Sequence, residues 1–182
     1  MGRGADRRDV VLTAALETFI HYGYRKTSME DIAGAADISR PGLYFLFASK
    51  QELFAAAITR ALEQDLHTAA RALDDESHLL HERLLEAFDT WTGRYLGAVG
   101  GELSAVAEAH RDLLGTAVLD SSHRFRALIT DAVVSSRAPQ DRATSEAVAR
   151  TIISTAIGLK HQTTSRETFR EDLSTAIALL LR

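Results

Sequence analysis

The side chains of this chain that are equipped for chemistry are hydrogen-bond donors rather than nucleophiles. The segment DISRPGLYFLFASKQEL, residues 37–53, offers a guanidinium at Arg40, a phenol at Tyr44 and an ammonium at Lys50. Arg25, Lys26, Thr27 and Ser28 lie shortly before it. A guanidinium presents a rigid fork that fits a phosphate or a guanine edge, and ammonium and hydroxyl groups suit single anionic oxygens. Such groups hold a polyanion without breaking its bonds. Covalent chemistry has little to work with. The chain has no Cys, so thiol catalysis, disulfides and thiolate metal sites are excluded. His-Glu-x-x-His, phosphate-binding glycine loops, Gly-x-Ser-x-Gly and Glu-x-x-His are all missing from the sequence. His78 and His81, at i and i+3, are spaced for a shared metal ion, but no third ligand is obvious and solvated histidines explain them as well.

Those donors need a scaffold, and the periodicity makes it helical. Strand-like alternation is absent, Ala, Leu, Glu and Arg fill the periodic stretches, and the two prolines, Pro41 and Pro139, break no long segment. Asp6 precedes Val11, Leu12, Ala15, Leu16 and Phe19, which predicts a helix over 6–22 ending near Gly23. Thr27 and Glu30 have capping-box spacing and open a short helix through Ile32, Ala33 and Ala36. Asp37 falls in the turn, and Ser39 can cap the next helix with Pro41 in its first turn. Ser49 and Glu52 repeat the box and open a helix to about Leu73. Residues 28–47 therefore read as helix, turn, helix, held by the helix before them. After the break at 74–78, helices are expected at 79–98, 102–111, 113–137, 141–162 and 166–181, the last with a box from Thr164 to Glu167. The fold class is all-α, with about nine helices.

Bulk properties narrow the class further. At 182 residues, with 46% hydrophobic and 25% charged residues, the chain is an ordinary globular protein. No apolar run approaches the roughly 20 residues of a membrane span, and no apolar leader follows the start, so the expected location is cytoplasmic. The net charge of −4 argues by itself against nucleic acid. Residues 1–60 carry eight Lys or Arg against seven Asp or Glu, whereas residues 61–182 carry 13 against 18. Two of the three lysines, Lys26 and Lys50, fall in the first part.

The stretch AALETFIHYGYRKTSMEDIAGAADISRPGLYFLFASKQELF resembles the TetR family of transcriptional regulators. The pattern runs Gly-Tyr, two residues, Thr-Ser, an apolar residue, two residues, Ile-Ala; then a turn, Ser, three residues, Leu-Tyr; then Phe, one residue, Ser-Lys. It covers about Val11 to Ile58, and helix count extends it loosely over the rest. The turn residue, usually Gly, is Asp37, which tolerates left-handed backbone. Leu46 stands where the family often has a phosphate-contacting His, and Pro41-Gly42 leaves few polar groups on the groove face.

The resemblance implies a helix-turn-helix DNA-binding domain over 1–48 and an effector-binding and dimerisation domain over 49–182, connected by helix 49–73. In such a motif the second helix enters the major groove. Base contacts are then expected from Arg40, Pro41, Gly42 and Phe45, with Leu43, Leu46 and Phe47 on the buried side. Phosphate contacts are expected from Arg25, Lys26, Thr27, Ser28, Tyr44 and Lys50. Arg7 and Arg8 read either as an arm or as solvated charges at a helix start. One head carries too little charge to bind tightly, so two heads on a two-fold axis are required.

The last two helices are the expected homodimer interface, through Thr151, Ile152, Thr155 and Gly158 on one and Phe169, Leu173, Ile177 and Leu180 on the other, giving a four-helix bundle. Phe88, Trp91 and Tyr95, at i, i+3 and i+7, with His110, Phe125 and Ile129, either line a pocket for a small-molecule effector or fill the core. The expectation is a DNA-binding repressor of a palindromic operator, released by an effector and needing no cofactor. An all-α enzyme or metal protein, and an interaction module with a vestigial DNA head, are the alternatives.

Overall fold

The computed structural model describes residues 2–93, 96, 114, 116–136, 142–163 and 165–182. Within them the protein is all-α, with helices α1 (Gly2–Tyr22), α2 (Met29–Ala35), α3 (Arg40–Leu46), α4 (Lys50–Asp74), α5 (Leu80–Thr92), α6 (Ala117–Ser135), α7 (Arg142–Gln162) and α8 (Arg166–Leu180). The expected helix 102–111, together with Tyr95, His110, Pro139 and Thr164, lies outside the described residues. Two compact units are present, one including residues 2–62 and the other residues 63–93, 119–136, 142–163 and 165–182.

The first unit is built from α1 to α3 and the first half of α4. α1 begins earlier than predicted, so Asp6 lies inside it rather than before it; no proline interrupts residues 2–22. It stops at Gly23, whose φ of 81° lies in the left-handed region and whose N–H donates to the Phe19 carbonyl at 2.9 Å. Val11, Leu12, Ala15 and Phe19 from α1 meet Ile32 and Ala33 from α2, Leu43 of α3, and Leu53, Phe54 and Ala57 from α4. Phe19 and Phe54 pack edge to face at 5.2 Å, with Tyr24 completing the ring cluster 4.9 Å from Phe54. Leu53, Phe54 and Ala57 tie the first half of α4 to this head.

The cap of α2 is shifted by one residue from its prediction. Thr27 is buried, and its hydroxyl donates back to the Gly23 carbonyl at 2.9 Å. Ser28 caps the helix instead: its hydroxyl oxygen accepts from the Asp31 N–H at 3.1 Å, and its own N–H donates to the Asp31 carboxylate at 2.8 Å. Both Thr27/Glu30 and Ser28/Asp31 satisfy the spacing, and burial of Thr27 decides between them. Hydrogen bonds from the Ser28 hydroxyl and then its backbone hold the Asp31 carboxyl below the usual carboxylate range.

In the second unit, α5 is shorter than the predicted 79–98 and gives way at Gly93. α8 packs on both α5 and α7. Leu84, Phe88, Phe125, Ile129, Ile152, Phe169, Leu173 and Ile177 form one buried core. The core is locked by Asp89, whose carboxylate is 3% exposed and receives the Arg166 guanidinium bidentately, Nε to Oδ1 at 2.9 Å and Nη2 to Oδ2 at 2.6 Å. Arg170 donates to the same Oδ2. Burial pushes the Asp89 carboxyl up, but the Arg166 hydrogen bonds and the Arg170 charge outweigh it and hold it below its ordinary range. Gly93 is required by this contact, because a Cβ there would come within 2.3 Å of Asp89 Oδ1. α8 is capped by Ser165, whose hydroxyl accepts from the Thr168 N–H at 3.3 Å.

Candidate nucleic-acid interface

α3 has two faces. Leu43 is fully buried and Leu46 half-buried, and Phe47, just past the helix end, is also buried. Arg40, Pro41, Tyr44 and Phe45 are exposed, Phe45 at 89%, which exceeds any other large apolar side chain among the described residues. Ser39 caps the helix by accepting from the Gly42 N–H at 3.2 Å, and Pro41 sits in the first turn, where no intrahelical N–H is needed. A Cβ at Gly42 would press to 3.1 Å from that capping hydroxyl, so its smallness also protects the cap. The turn from α2 passes through Asp37 at φ 52°, the left-handed geometry for which Asp is suited.

The exposed Arg40 cation has two neighbours of its own. Arg40 Nε lies 3.6 Å from a Glu30 carboxylate oxygen, and its guanidinium stands 5.7 Å from the Tyr44 ring centroid. Both partners of the ion pair are well exposed, so it orients the side chain weakly, at about 0–1 kcal/mol. Arg25 and Lys26 are exposed in the loop before α2. Ser28 is exposed, with its hydroxyl engaged by Asp31.

Three cationic or polar groups expected at phosphates or in an arm are placed differently. Thr27 turns inward, as described. Lys50 donates to the Tyr24 carbonyl at 3.0 Å and the Thr27 carbonyl at 2.9 Å, with its ammonium 4.4 Å from the Tyr24 ring centroid. Two of its three donors are thereby committed to the loop that precedes α2, because α4 starts against that loop. Arg8 is exposed, yet it also reaches the end of α3: Nη1 donates to the Leu46 carbonyl at 3.1 Å and the guanidinium carbon lies 4.2 Å from the Phe47 ring centroid. The sequence pattern contains no signal for these inward roles, since they depend on which backbone carbonyls the fold leaves unpaired. Lys50→Met should lower the stability of the head by about 1–2 kcal/mol, read as a shift of the urea midpoint.

The other predicted sites divide in the same way. Phe88, Trp91, Phe125 and Ile129 do come together: Phe88 and Phe125 meet edge to face at 5.2 Å, and Trp91 stacks on Phe125 at 4.7 Å and 8°. Tyr95 and His110 lie outside the described residues. Of the predicted dimer residues, Ile152, Phe169, Leu173 and Ile177 are fully buried within one chain and have no surface left for a partner. Thr151 is exposed, Thr155, Gly158 and Leu180 are half-buried, and Ile157 and Leu179, which the prediction omitted, are exposed beside them. His78 bonds Asp75 and His81 bonds the Ser174 hydroxyl at 2.9 Å, and no group of three metal-ligating side chains is found among the described residues. No described helix is long and apolar enough to cross a membrane.

An α2-turn-α3 unit braced by α1, with a solvent-facing second helix, defines a helix-turn-helix protein. Residues 11–57 match the model of the bacterial regulatory proteins of the tetR family. The chain is 34% identical over 87 residues to the HTH-type transcriptional activator FasR of Mycolicibacterium smegmatis, a match covering 46% of this chain and 40% of that protein's length. Its fold is similar to a tetR-family transcriptional regulator from Streptomyces coelicolor, with TM-score 0.66, 24% identity and coverage of 99% and 82% of the two chains. The multidrug binding protein EbrR, solved with ethidium, superposes with TM-score 0.58 at 23% identity, covering 94% of this chain and 98% of that one. Over residues 11–57 the chain is similar to the tetR family of bacterial regulatory proteins, and its fold is the one found in tetR-family structures.

Proposed function

We propose that this protein binds double-stranded operator DNA as a homodimer and regulates transcription in response to a small-molecule effector. The observation that carries the DNA reading is the outer face of α3, where Arg40, Tyr44 and an 89%-exposed Phe45 stand opposite the buried Leu43. In the major groove, Arg40 can fork onto guanine, Pro41 and Phe45 can meet thymine methyls, and the Gly42 backbone can approach closely. Tyr44 and the exposed Arg25, Lys26 and Ser28 suit phosphates. With one strong base donor per head, recognition relies on methyl contacts and DNA shape as well as hydrogen bonds.

Dimerisation would place two such helices about 34–36 Å apart, or a multiple, facing half-sites of a palindrome. The revised interface is the side of α7 opposite its core, with Thr151, Ile157 and Gly158, together with Leu179 and Leu180 of α8. Ile157 and Leu179 are 49% and 57% exposed, and a second copy would cover them. For the effector, the ring cluster of Phe88, Trp91 and Phe125 is the candidate site, supported by the fold shared with a protein solved with an aromatic cation. Repression is the reading for an operator that overlaps the promoter; an operator placed upstream would give activation, the activity named for FasR.

DNA flanking the chain's own gene, titrated by fluorescence anisotropy at 50 and 200 mM salt, tests this. A regulator should bind such fragments in preference to random DNA and lose affinity by about 10³-fold or more if each dimer makes six or more phosphate contacts. Absent binding, or binding indifferent to salt, would favour the interaction-module alternative.

A further inference from the structure

Resting on the reading above, we propose that Arg8 is a positioning residue that fixes the angle of α3 in the head and so sets the fit of Arg40, Tyr44 and Phe45 to the groove. α3 is seven residues long, and a helix that short is oriented by whatever holds its ends. Its start is held by the Ser39 cap. Near its end, the Phe47 N–H closes the helix on the Leu43 carbonyl at 3.0 Å, while the Leu46 carbonyl receives the Arg8 guanidinium at 3.1 Å. A cation at a helix C-terminus also opposes the negative end of the backbone dipole. The same guanidinium carbon stands 4.2 Å from the centroid of Phe47, the buried ring that follows the helix, within cation–π range. Arg8 therefore grips α3 through one hydrogen bond to its last turn and one cation–π contact to its C-cap. It comes from α1, 38 residues away, so it registers the recognition helix against the helix that braces the head.

A phosphate-binding Arg8 and a positioning Arg8 differ in what their loss does. A lost phosphate contact weakens all DNA alike and lowers the salt slope by about one. A lost brace lets α3 tilt, which harms the operator fit and leaves the counterion count alone. Arg7→Ala is the charge control, since Arg7 is the exposed neighbour of Arg8 on α1.

The test uses the full chain and an operator enriched from a random DNA pool. Arg8→Ala should lower operator affinity about tenfold relative to Arg7→Ala, equivalent to about 1.4 kcal/mol, while affinity for random DNA and the salt slope match the control. Hydrogen exchange without DNA should show faster exchange at Phe45, Leu46 and Phe47 in Arg8→Ala only, and Arg8→Lys, which keeps a cationic donor but loses the guanidinium, should recover part of the operator affinity. A salt slope reduced by about one per protomer overturns the proposal in favour of a phosphate contact. Unchanged exchange at the end of α3 overturns it outright. Should the wild-type chain enrich no DNA, the regulator reading fails while the brace is still decided by the exchange arm.

Discussion

Asp89→Asn should destabilise the second unit by about 2–3 kcal/mol, seen as a lower urea midpoint with little change in slope. The carboxylate is almost fully buried and receives Arg166 twice and Arg170 once, so its removal leaves two guanidiniums facing an amide that can accept but also presents N–H groups to them. The cost falls below that of a wholly buried pair because the Arg166 side chain remains 58% exposed and water can re-solvate it. The sign of the pH dependence follows from the depressed carboxyl. Its folded-state pKa lies below the unfolded value of about 3.9, so the stabilisation is fully present above that value and is lost as pH falls through the folded one. Acid should thus erode the wild type below about pH 4 more than it erodes Asp89→Asn. Gly93→Ala should imitate part of the loss at neutral pH, since its Cβ would displace the Asp89 carboxylate from Arg166.

The second large effect is on DNA. Arg40→Ala should relax preference at one base pair in each half-site, costing about 1–3 kcal/mol of discrimination there and leaving the other positions unchanged. The exposed pair with Glu30 does not oppose this, because an ion pair of that exposure is readily exchanged for a bidentate contact with guanine. Selection of binding sites from a random pool, run in parallel on both proteins, reads the result directly. An unaltered profile would mean that Arg40 is not a base reader, leaving Phe45 and Pro41 as the specificity groups.

Much of the head was legible because its signals are local. Gly23, Ser39, Pro41 and the alternation of Leu43 with Tyr44 and Phe45 each report a backbone need or a face within a few residues. The Thr27 cap failed because two overlapping boxes had the same spacing and only tertiary burial separates them. The backbone carbonyls that Lys50 and Arg8 also serve were not legible for a related reason: nothing local shows which carbonyls the fold leaves open to a nearby cation. In the second unit, Phe169, Leu173 and Ile177 form a stripe that an interface and a core produce equally well. Packing against α5 assigns it to the core, leaving Thr151 and Ile157 of α7 and Leu179 of α8 exposed. The Asp89–Arg166 lock was invisible in the sequence because its partners are 77 residues apart and nothing local distinguishes them from surface charges.

Selection from a random duplex pool with the intact protein tests the central claim most directly. A dimeric helix-turn-helix regulator should enrich an inverted repeat whose half-sites are centred about 10–10.5 bp apart or a multiple of that, with one guanine position per half-site that is lost in Arg40→Ala. Recovery of no common sequence, or of a single unrepeated site indifferent to Arg40, would contradict it.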